Sequence, residues 1–491
     1  MKFFFTALLS FIVAAANSQH ANSSRNIFII TTDGFRWQEV FNGADSTLIS
    51  DTRFVQDTGL LKQQYWSNDL AERRKKLLPF FWNVIEASGS LSGNRSYGNE
   101  VNVSNLYKIS YPGYNEILTG YADKLFIPNL AIRNRNENVL EYLNRQAGYA
   151  GKVVAFSSWN ILPFILDEKR SHIPVNSGYE MLEDAGDNTN TMINNVQESV
   201  INKGNTRHDL LTYASAKNYI EKEHPKVVFL GMGETDEYAH KGRYDQYLQK
   251  AHQFDQMIAE LWYYVQTDPF YKNNTTFIIT TDHGRGSKTA RWQNHGFWIR
   301  GSGQAWMALI GPGIEPVGER KDKETVYQKQ IASTIALLLG EHFQAGHPIA
   351  KPIREIKTSL LENELVLFYF GYLSRQTGLS YPMVITLVVL ADISGSFVLY
   401  CLFYYGREWL LQIKPKWLPV PEKKIHSLKQ KIASHNGRTI FMAKLTPFVR
   451  SYIPVVAGLL HISPIQYGRI IFFTAFIWSG GWITAGWLLN V

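Results

Sequence analysis

The chain has 491 residues, 45% hydrophobic and 19% charged, which exceeds a single domain of common size and implies a large globular part plus something else. Its one cysteine, Cys401, excludes a disulfide-stapled scaffold. The net charge of +8 suggests nucleic acid, but ten Lys or Arg between Arg407 and Arg450 face only Glu408 and Glu422 and account for the whole excess. A single basic block beside apolar segments reads as a loop of a membrane protein, so no nucleic-acid binding is expected.

At the start, Lys2 precedes an apolar run from Phe3 to Val13 and small residues through Ala16 to Ser18. That is the layout of a secretory signal peptide, so residues 1–18 are set apart from the fold and the rest is expected to be exported. From Asn26 to about Gly340, short β-branched runs alternate with longer amphipathic stretches. This pattern predicts an α/β domain, residues 19–355, with a central, mostly parallel sheet flanked by helices. The clear strands are Ile27–Thr32, Lys152–Phe156, Val227–Gly231, Thr276–Thr281 and Trp306–Ile310. Several run into Asp, Glu, Ser or His, and in open α/β sheets the ligand crevice lies beyond the carboxyl ends of the strands.

Past Lys351 the character changes, and residues 356–491 are expected to form an all-α transmembrane domain. Pro382–Tyr405 is apolar apart from Asp392, and Ile470–Val491 carries no charge, so each is long enough to span a bilayer. The shorter pieces Leu365–Leu373 and Tyr452–Leu460 are predicted to be re-entrant or interfacial. With the first domain outside, the first span runs inward, the basic loop 407–450 falls in the cytoplasm and the last span returns. The expected location is a bacterial inner membrane with the α/β domain on its periplasmic or extracellular side. The sequence sets no oligomeric state.

Five stretches supply metal-ligand residue types. They are Thr-Thr-Asp33-Gly, Lys108-Ile-Ser110-Tyr-Pro, Asp236-Glu-Tyr-Ala-His240, Asp282-His283-Gly and Asn-His295-Gly. Taken singly, Asp33 reads as well as a helix cap, Ser110 as an N-cap, and each histidine as a satisfied surface group. Together, three Asp and three His mostly on strand-end loops form a mixed N/O donor set that zinc accepts, enough for two ions. A serine at a helix start also suits a nucleophile, because helix N-terminal amides favour charge on phosphoryl oxygens.

In this order the five motifs resemble the alkaline phosphatase superfamily over about residues 25–340, most closely its nucleotide pyrophosphatase/phosphodiesterase-like branch. That branch usually carries threonine where Ser110 stands. The resemblance implies one zinc held by Asp236, His240 and His295, and a second held by Asp33, Asp282 and His283 with Ser110; manganese or iron suits the same donors. It implies a Ser110 nucleophile, a phosphoseryl intermediate and a phosphoric ester as substrate, diester or monoester. The family's phosphoryl-binding asparagine falls on Asn129, Asn134 or Asn136, with Asn129 and Asn134 as candidates. Arg36, Lys169 and Arg170 are cations available to a monoester dianion. The sulfatase formylglycine motif, Cys or Ser followed by x-Pro-x-Arg, is not matched by Ser110-Tyr-Pro-Gly-Tyr. A sulfatase therefore ranks below a phosphoesterase.

The tail resembles the DedA/SNARE-associated (VTT-like) membrane family in Gly395-Ser-Phe-Val-Leu-Tyr400, Tyr405-Gly406-Arg407 and Lys444-Leu-Thr-Pro447-Phe-Val-Arg450. That likeness implies a link to lipid or lipid-carrier translocation. Arg450 at membrane depth is costly unless it snorkels, pairs or meets an anionic head group, and Asp392 is the candidate partner. The expected protein is a membrane-tethered phosphoric-ester hydrolase. The alternatives are a DedA-like lipid or lipid-phosphate translocase with an accessory substrate-binding domain, or a tail that only anchors.

Overall fold

The computed structural model describes residues 26–353 except 126, 184 and 185, and, further on, residues 367, 371, 374–375, 379–405, 437–445, 450 and 453–488. The signal peptide expected over residues 1–18, most of the basic loop 407–450 and most of Leu365–Leu373 lie outside the described residues. The chain divides into two compact units, Met1–Thr358 and Ser359–Val491.

Among the described residues of the first unit, eleven strands form: β1 (Asn26–Thr32), β2 (Gly89–Ser92), β3 (Glu100–Asn102), β4 (Val153–Ser157), β5 (Val175–Ser177), β6 (Val227–Met232), β7 (Thr275–Thr280), β8 (Gln304–Ala305), β9 (Met307–Ile310), β10 (Gly318–Glu319) and β11 (Thr325–Tyr327). Eight of them make one sheet in the order β10-β2-β9-β7-β1-β6-β4-β5, and β11-β3-β8 make a small second sheet. β1 lies between β6 and β7, parallel to both, with Ile29 opposite Phe229 on one side and Ile278 on the other. β9 is the antiparallel member, paired with β7 and β2. This is the mostly parallel sheet flanked by helices that the alternating pattern predicts. The five strands read from sequence are all present, each shifted by a residue or two at its ends.

β1 is buried along its whole length, which is why it reads as an unbroken apolar run rather than an alternating one. Its period of two still sorts the side chains between faces. Phe28 and Ile30 join one core with Val228, Leu230 and the helix Tyr244–Thr267. Ile27 and Ile29 join the other with Phe229, Ile278, the helix Ser110–Thr119 and the helix Ile331–Leu338. Each such side chain taken from water stabilises the fold by about 1.5–3 kcal/mol.

The helix Ser110–Thr119 packs so tightly onto the end of β7 that a β-carbon at Gly113 would sit 2.6 Å from the Asp282 carbonyl oxygen. Only glycine fits there, and the close approach sets Ser110 against the strand ends.

In the second unit the helices Tyr381–Tyr405 and Pro464–Leu488 each run 25 residues. At about 1.5 Å per residue either exceeds a hydrocarbon core of about 30 Å. The last helix starts at Pro464, ahead of the Ile470 read from hydropathy, because Ser463 caps it and Pro464 takes its first turn. The seven residues of the helix Ile453–Leu459 are too few to span. It lies against the helix Tyr381–Tyr405 through Gly458, where a β-carbon would meet the Tyr400 carbonyl oxygen at 2.7 Å.

Two outcomes are expected. Gly113→Ala should destabilise the first unit by about 1–3 kcal/mol through overpacking, read as a lower urea midpoint; an unchanged midpoint would mean that the helix can retreat from Asp282. Separately, the buried Asp255 carboxylate accepts from the amides of Phe80 and Phe81 at 2.8 and 3.0 Å, and burial pushes its pKa up to about 7 against those bonds. The folded value lies above the unfolded one of about 3.9, so the contribution of this group to stability falls as pH rises between those values. Relative to Asp255→Asn, the parent chain should lose stability across that window, and parallel pH profiles would refute the assignment.

Candidate metal centre

Three adjacent parallel strands deliver the site. Asp33 directly follows β1, Asp282 and His283 follow β7, and the helix Glu234–His240 begins just after β6. The Asp33 amide donates to the Met232 carbonyl at 2.9 Å. Asp282 Oδ1 accepts from the Gly34 amide at 3.0 Å. Gly34 has φ +59°, and a β-carbon there would lie 2.7 Å from Asp236 Oδ1 and 2.9 Å from Arg285 Nε. The glycine is required both by its left-handed backbone and by the side chains that crowd it.

One donor group consists of Asp236, His240 and His295, and another of Asp33, Asp236 and His283; within each, the ligand atoms lie within 4.8 Å of one another. His240 Nε2 is 3.1 Å from Asp236 Oδ2 and 3.0 Å from His295 Nε2. His283 Nε2 is 3.4 Å from both Asp33 Oδ1 and Asp282 Oδ2. The rings of His283 and His295 stack with centroids 3.9 Å apart. Their other nitrogens are held by backbone carbonyls, His283 Nδ1 by Gly284 at 3.0 Å and His295 Nδ1 by Lys108 at 3.2 Å. That fixes the tautomers so that each Nε2 offers a lone pair to the cleft.

The electrostatics call for cations. Burial, then Asp282 and Asp236, push the Asp33 carboxyl well above its ordinary value. Asp282 is raised to about 8, by burial and Asp236, despite the Gly34 amide. Burial is the largest single influence on Asp236 and would raise it, but the Arg285 guanidinium, the His240 hydrogen bond and His295 together hold it well below the carboxylate range. Burial lowers His283 strongly and His295 to about 4, so both rings are neutral at physiological pH. Asp33 Oδ1 and Asp282 Oδ2 are buried and have no hydrogen-bond partner. Orphaned carboxylate oxygens beside imidazole lone pairs are a donor set that fits divalent metal ions.

Ser110 opens the helix Ser110–Thr119, but it does not cap it: the N-cap is Ile109, with no side-chain cap bond. Its Oγ is buried and lies 3.4 Å from His283 Nε2. The approach to it is held by Glu116, two turns along the same helix. That buried carboxylate accepts from the amides of Ser104 and Asn105 at 2.8 Å each and from Asn105 Nδ2 at 2.9 Å. Asn105 Oδ1 in turn accepts from the amides of Tyr107 and Lys108, the latter at φ +53°.

The structure thus brings Asp33, Ser110, Asp236, His240, Asp282, His283 and His295 into one cleft. Among the asparagines, Asn129 Oδ1 accepts from the Tyr111 amide at 2.9 Å, one residue from Ser110. The Nδ2 atoms of Asn134 and Asn136 instead both donate to Asn115 Oδ1 further along the helix, at 2.9 and 3.2 Å. Arg36 is buried in an ion pair with Glu39. Arg170 bonds Glu141, Asp167 and the carbonyls of Asn134 and Asn136. Lys169 is exposed on the helix Glu168–Ser171. None of these three cations is brought to Ser110. Arg285, which follows Asp282-His283-Gly284 directly, and Glu116, six residues past Ser110, carry no motif that announces their roles in the sequence.

In the second unit, Asp392 Oδ2 accepts from Arg450 Nη2 at 2.8 Å and from Ser479 Oγ at 2.6 Å. Lys444 Nζ bonds Ser396 Oγ at 2.9 Å, and the Arg450 guanidinium lies 5.0 Å from the Trp478 ring centroid. The pairing expected for Asp392 and Arg450 is present.

Residues 175–295 match the family model described as Metalloenzyme superfamily, and residues 361–488 match that of the VTT domain. The first match contains Asp236, His240, Asp282, His283 and His295. No curated protein matches the chain in sequence. Similar solved structures include an alkaline phosphatase PafA mutant, 11% identical with a TM-score of 0.46, covering 68% of this chain and 99% of that one. The lipoteichoic acid synthase LtaP from Listeria monocytogenes is 12% identical with a TM-score of 0.43, covering 70% of this chain and 81% of that one. The phosphonate monoester hydrolase SpPMH from Silicibacter pomeroyi is 12% identical with a TM-score of 0.39, covering 65% and 73% respectively. The chain therefore joins an alkaline-phosphatase-like domain of the Metalloenzyme superfamily to a VTT domain.

Proposed function

We propose that the first unit is a metal-dependent phosphoric-ester hydrolase, a phosphodiesterase or phosphatase, with Ser110 as nucleophile, tethered to a bacterial inner membrane by its tail. The observation that carries the reading is the buried Ser110 Oγ at a helix start, 3.4 Å from His283 Nε2 and beside orphaned carboxylate oxygens. Asp236, His240 and His295 would hold one ion and Asp33, Asp282 and His283 another, with zinc favoured by the N/O donors. Bound there, divalent metal supplies the positive charge that lowers a serine pKa and offsets phosphoryl charge.

The chain's own residues do the rest. Ser110 Oγ attacks phosphorus; the Oγ–P bond forms as the bond to the leaving oxygen breaks, and that oxygen leaves as an alcohol after taking a proton. Water then cleaves the phosphoseryl group, restoring the serine hydroxyl and releasing the phosphate product. The helix start favours the negative charge on the transferring group. Asn129 has committed Oδ1 to the helix, so Nδ2 is the donor it can offer a phosphoryl oxygen.

Ser110→Ala should lower hydrolysis of bis-p-nitrophenyl phosphate by at least about a thousandfold while leaving the urea midpoint of the fold unchanged. Chelation should abolish the parent activity and zinc restore it. A parent chain that is inert and binds no metal would refute the hydrolase reading.

A second reading, a lipid or lipid-phosphate translocase, is favoured by the Asp392–Arg450 pair with Ser479, since ionised groups among apolar helices are costly to keep. Arg450→Ala should then slow lipid flip in reconstituted vesicles and spare hydrolysis of the soluble ester. Unchanged flip would leave the tail as an anchor.

A further inference from the structure

Three segments join around Ser110. Tyr107 Oη donates to the Lys124 carbonyl at 2.5 Å, and Tyr111 Oη donates to the Ile132 carbonyl at 2.6 Å. His295 Nδ1 meets the Lys108 carbonyl, and a β-carbon on Gly296 would lie 3.9 Å from Ile109. Residues 104–109, 121–125, 127–135 and 295–303 therefore lie together as one rim around Ser110.

Its exposed side chains are unusual for a water-facing surface. Leu106, Leu125, Leu130 and Ile132 are 46–56% exposed, Phe297 is 48% exposed and Trp298 85%. Phe297 and Trp298 touch edge to face, 4.5 Å between centroids, immediately after the candidate ligand His295. Scattered apolar residues need no explanation, but six large ones gathered at the entrance to a polar site do. The charge on the same segments has one sign. They contain Lys108, Lys124, Arg133, Arg135 and Arg300 against a single acid, Asp123, which is buried and paired with Arg135; Arg133 reaches Asp167 at 4.0 Å, and Lys108, Lys124 and Arg300 have no ion pair among the described residues.

Leu, Ile, Phe and Trp interleaved with Lys and Arg, without exposed acids, are what an anionic lipid surface recognises. The apolar tips enter the acyl boundary while the cations meet head-group phosphates. The chain's own VTT domain, with two apolar helices of spanning length, makes a bilayer the apolar phase this chain meets. We propose that the rim formed by residues 104–109, 121–125, 127–135 and 295–303 docks on an anionic lipid bilayer, so that the Ser110 cleft opens onto the head-group layer. The consequence for catalysis rests on the hydrolase reading above: the substrates would be phosphoric esters presented at a lipid surface. The docking itself does not depend on turnover.

The test uses the full chain in nanodiscs of mixed phosphatidylcholine and phosphatidylglycerol. Cys401 is the only cysteine, so in a Cys401→Ser background a nitroxide is attached at Trp298→Cys, at Leu130→Cys, and at Ile201→Cys as a control that is also 85% exposed. At 298 and 130 the ratio of oxygen to nickel-chelate accessibility should exceed the control by about tenfold, and it should fall without phosphatidylglycerol or in about 1 M salt. Ratios equal to the control in anionic nanodiscs would overturn the docking. So would labels that stay aqueous until bis-p-nitrophenyl phosphate is added, which would make the rim a seat for the leaving group. A docked label in a chain that hydrolyses no ester would keep the docking and remove the hydrolase reading.

Discussion

Everything at the cleft follows from one electrostatic constraint, the gathering of Asp33, Asp236 and Asp282 at the ends of three neighbouring parallel strands. Burial strips water from all three, and their mutual repulsion makes full ionisation costly unless cations enter. Among the described residues, Arg285 pairs directly with Asp236 and with neither Asp33 nor Asp282. Asp33 and Asp282 keep buried oxygens with no partner, while two neutral imidazoles turn their lone pairs toward the same space. A fold that needed only stability would gain from apolar residues there. The cost is understandable when the occupant is a metal ion that the site exists to bind.

Ser110 is placed by a second, quieter constraint. Glu116 ties the Ser104–Lys108 approach to the helix that begins at Ser110, and it also accepts from the Lys329 amide at 3.2 Å. Gly113 lets that helix close on Asp282. The position of Ser110 is thus set from two turns away and from the far side of the helix, rather than by contacts of its own side chain.

Much of this was readable in the sequence, for reasons tied to particular residues. β1, β6 and β7 are buried on both faces and flank one another, so their apolar runs were unambiguous and their carboxyl ends located Asp33, Asp236 and Asp282. Their register, and hence the meeting of residues 249 apart such as Asp33 and Asp282, has no local signal. Nor did the asparagines: Asn129, Asn134 and Asn136 lie at similar distances downstream, and only the path of the loop sends one to the start of the helix and two along it. A charge in sequence says nothing of its partner: Arg36 pairs with Glu39 and Arg170 with Glu141. In the second unit, length and hydropathy found both long helices, whereas the start at Pro464 depended on a cap that hydropathy does not register.

Asp236 belongs to both donor groups. A substitution there cannot separate them, since it strips a carboxylate from each at once and also frees Arg285 from its only carboxylate partner among the described residues. A half-loaded form of the protein, with one group intact and the other empty, can be reached through His240 or His295 on one side or through Asp33 or His283 on the other. The stacked rings of His283 and His295 run between those two halves, so even such a form would carry the mark of its missing neighbour in the tilt of the ring that remains.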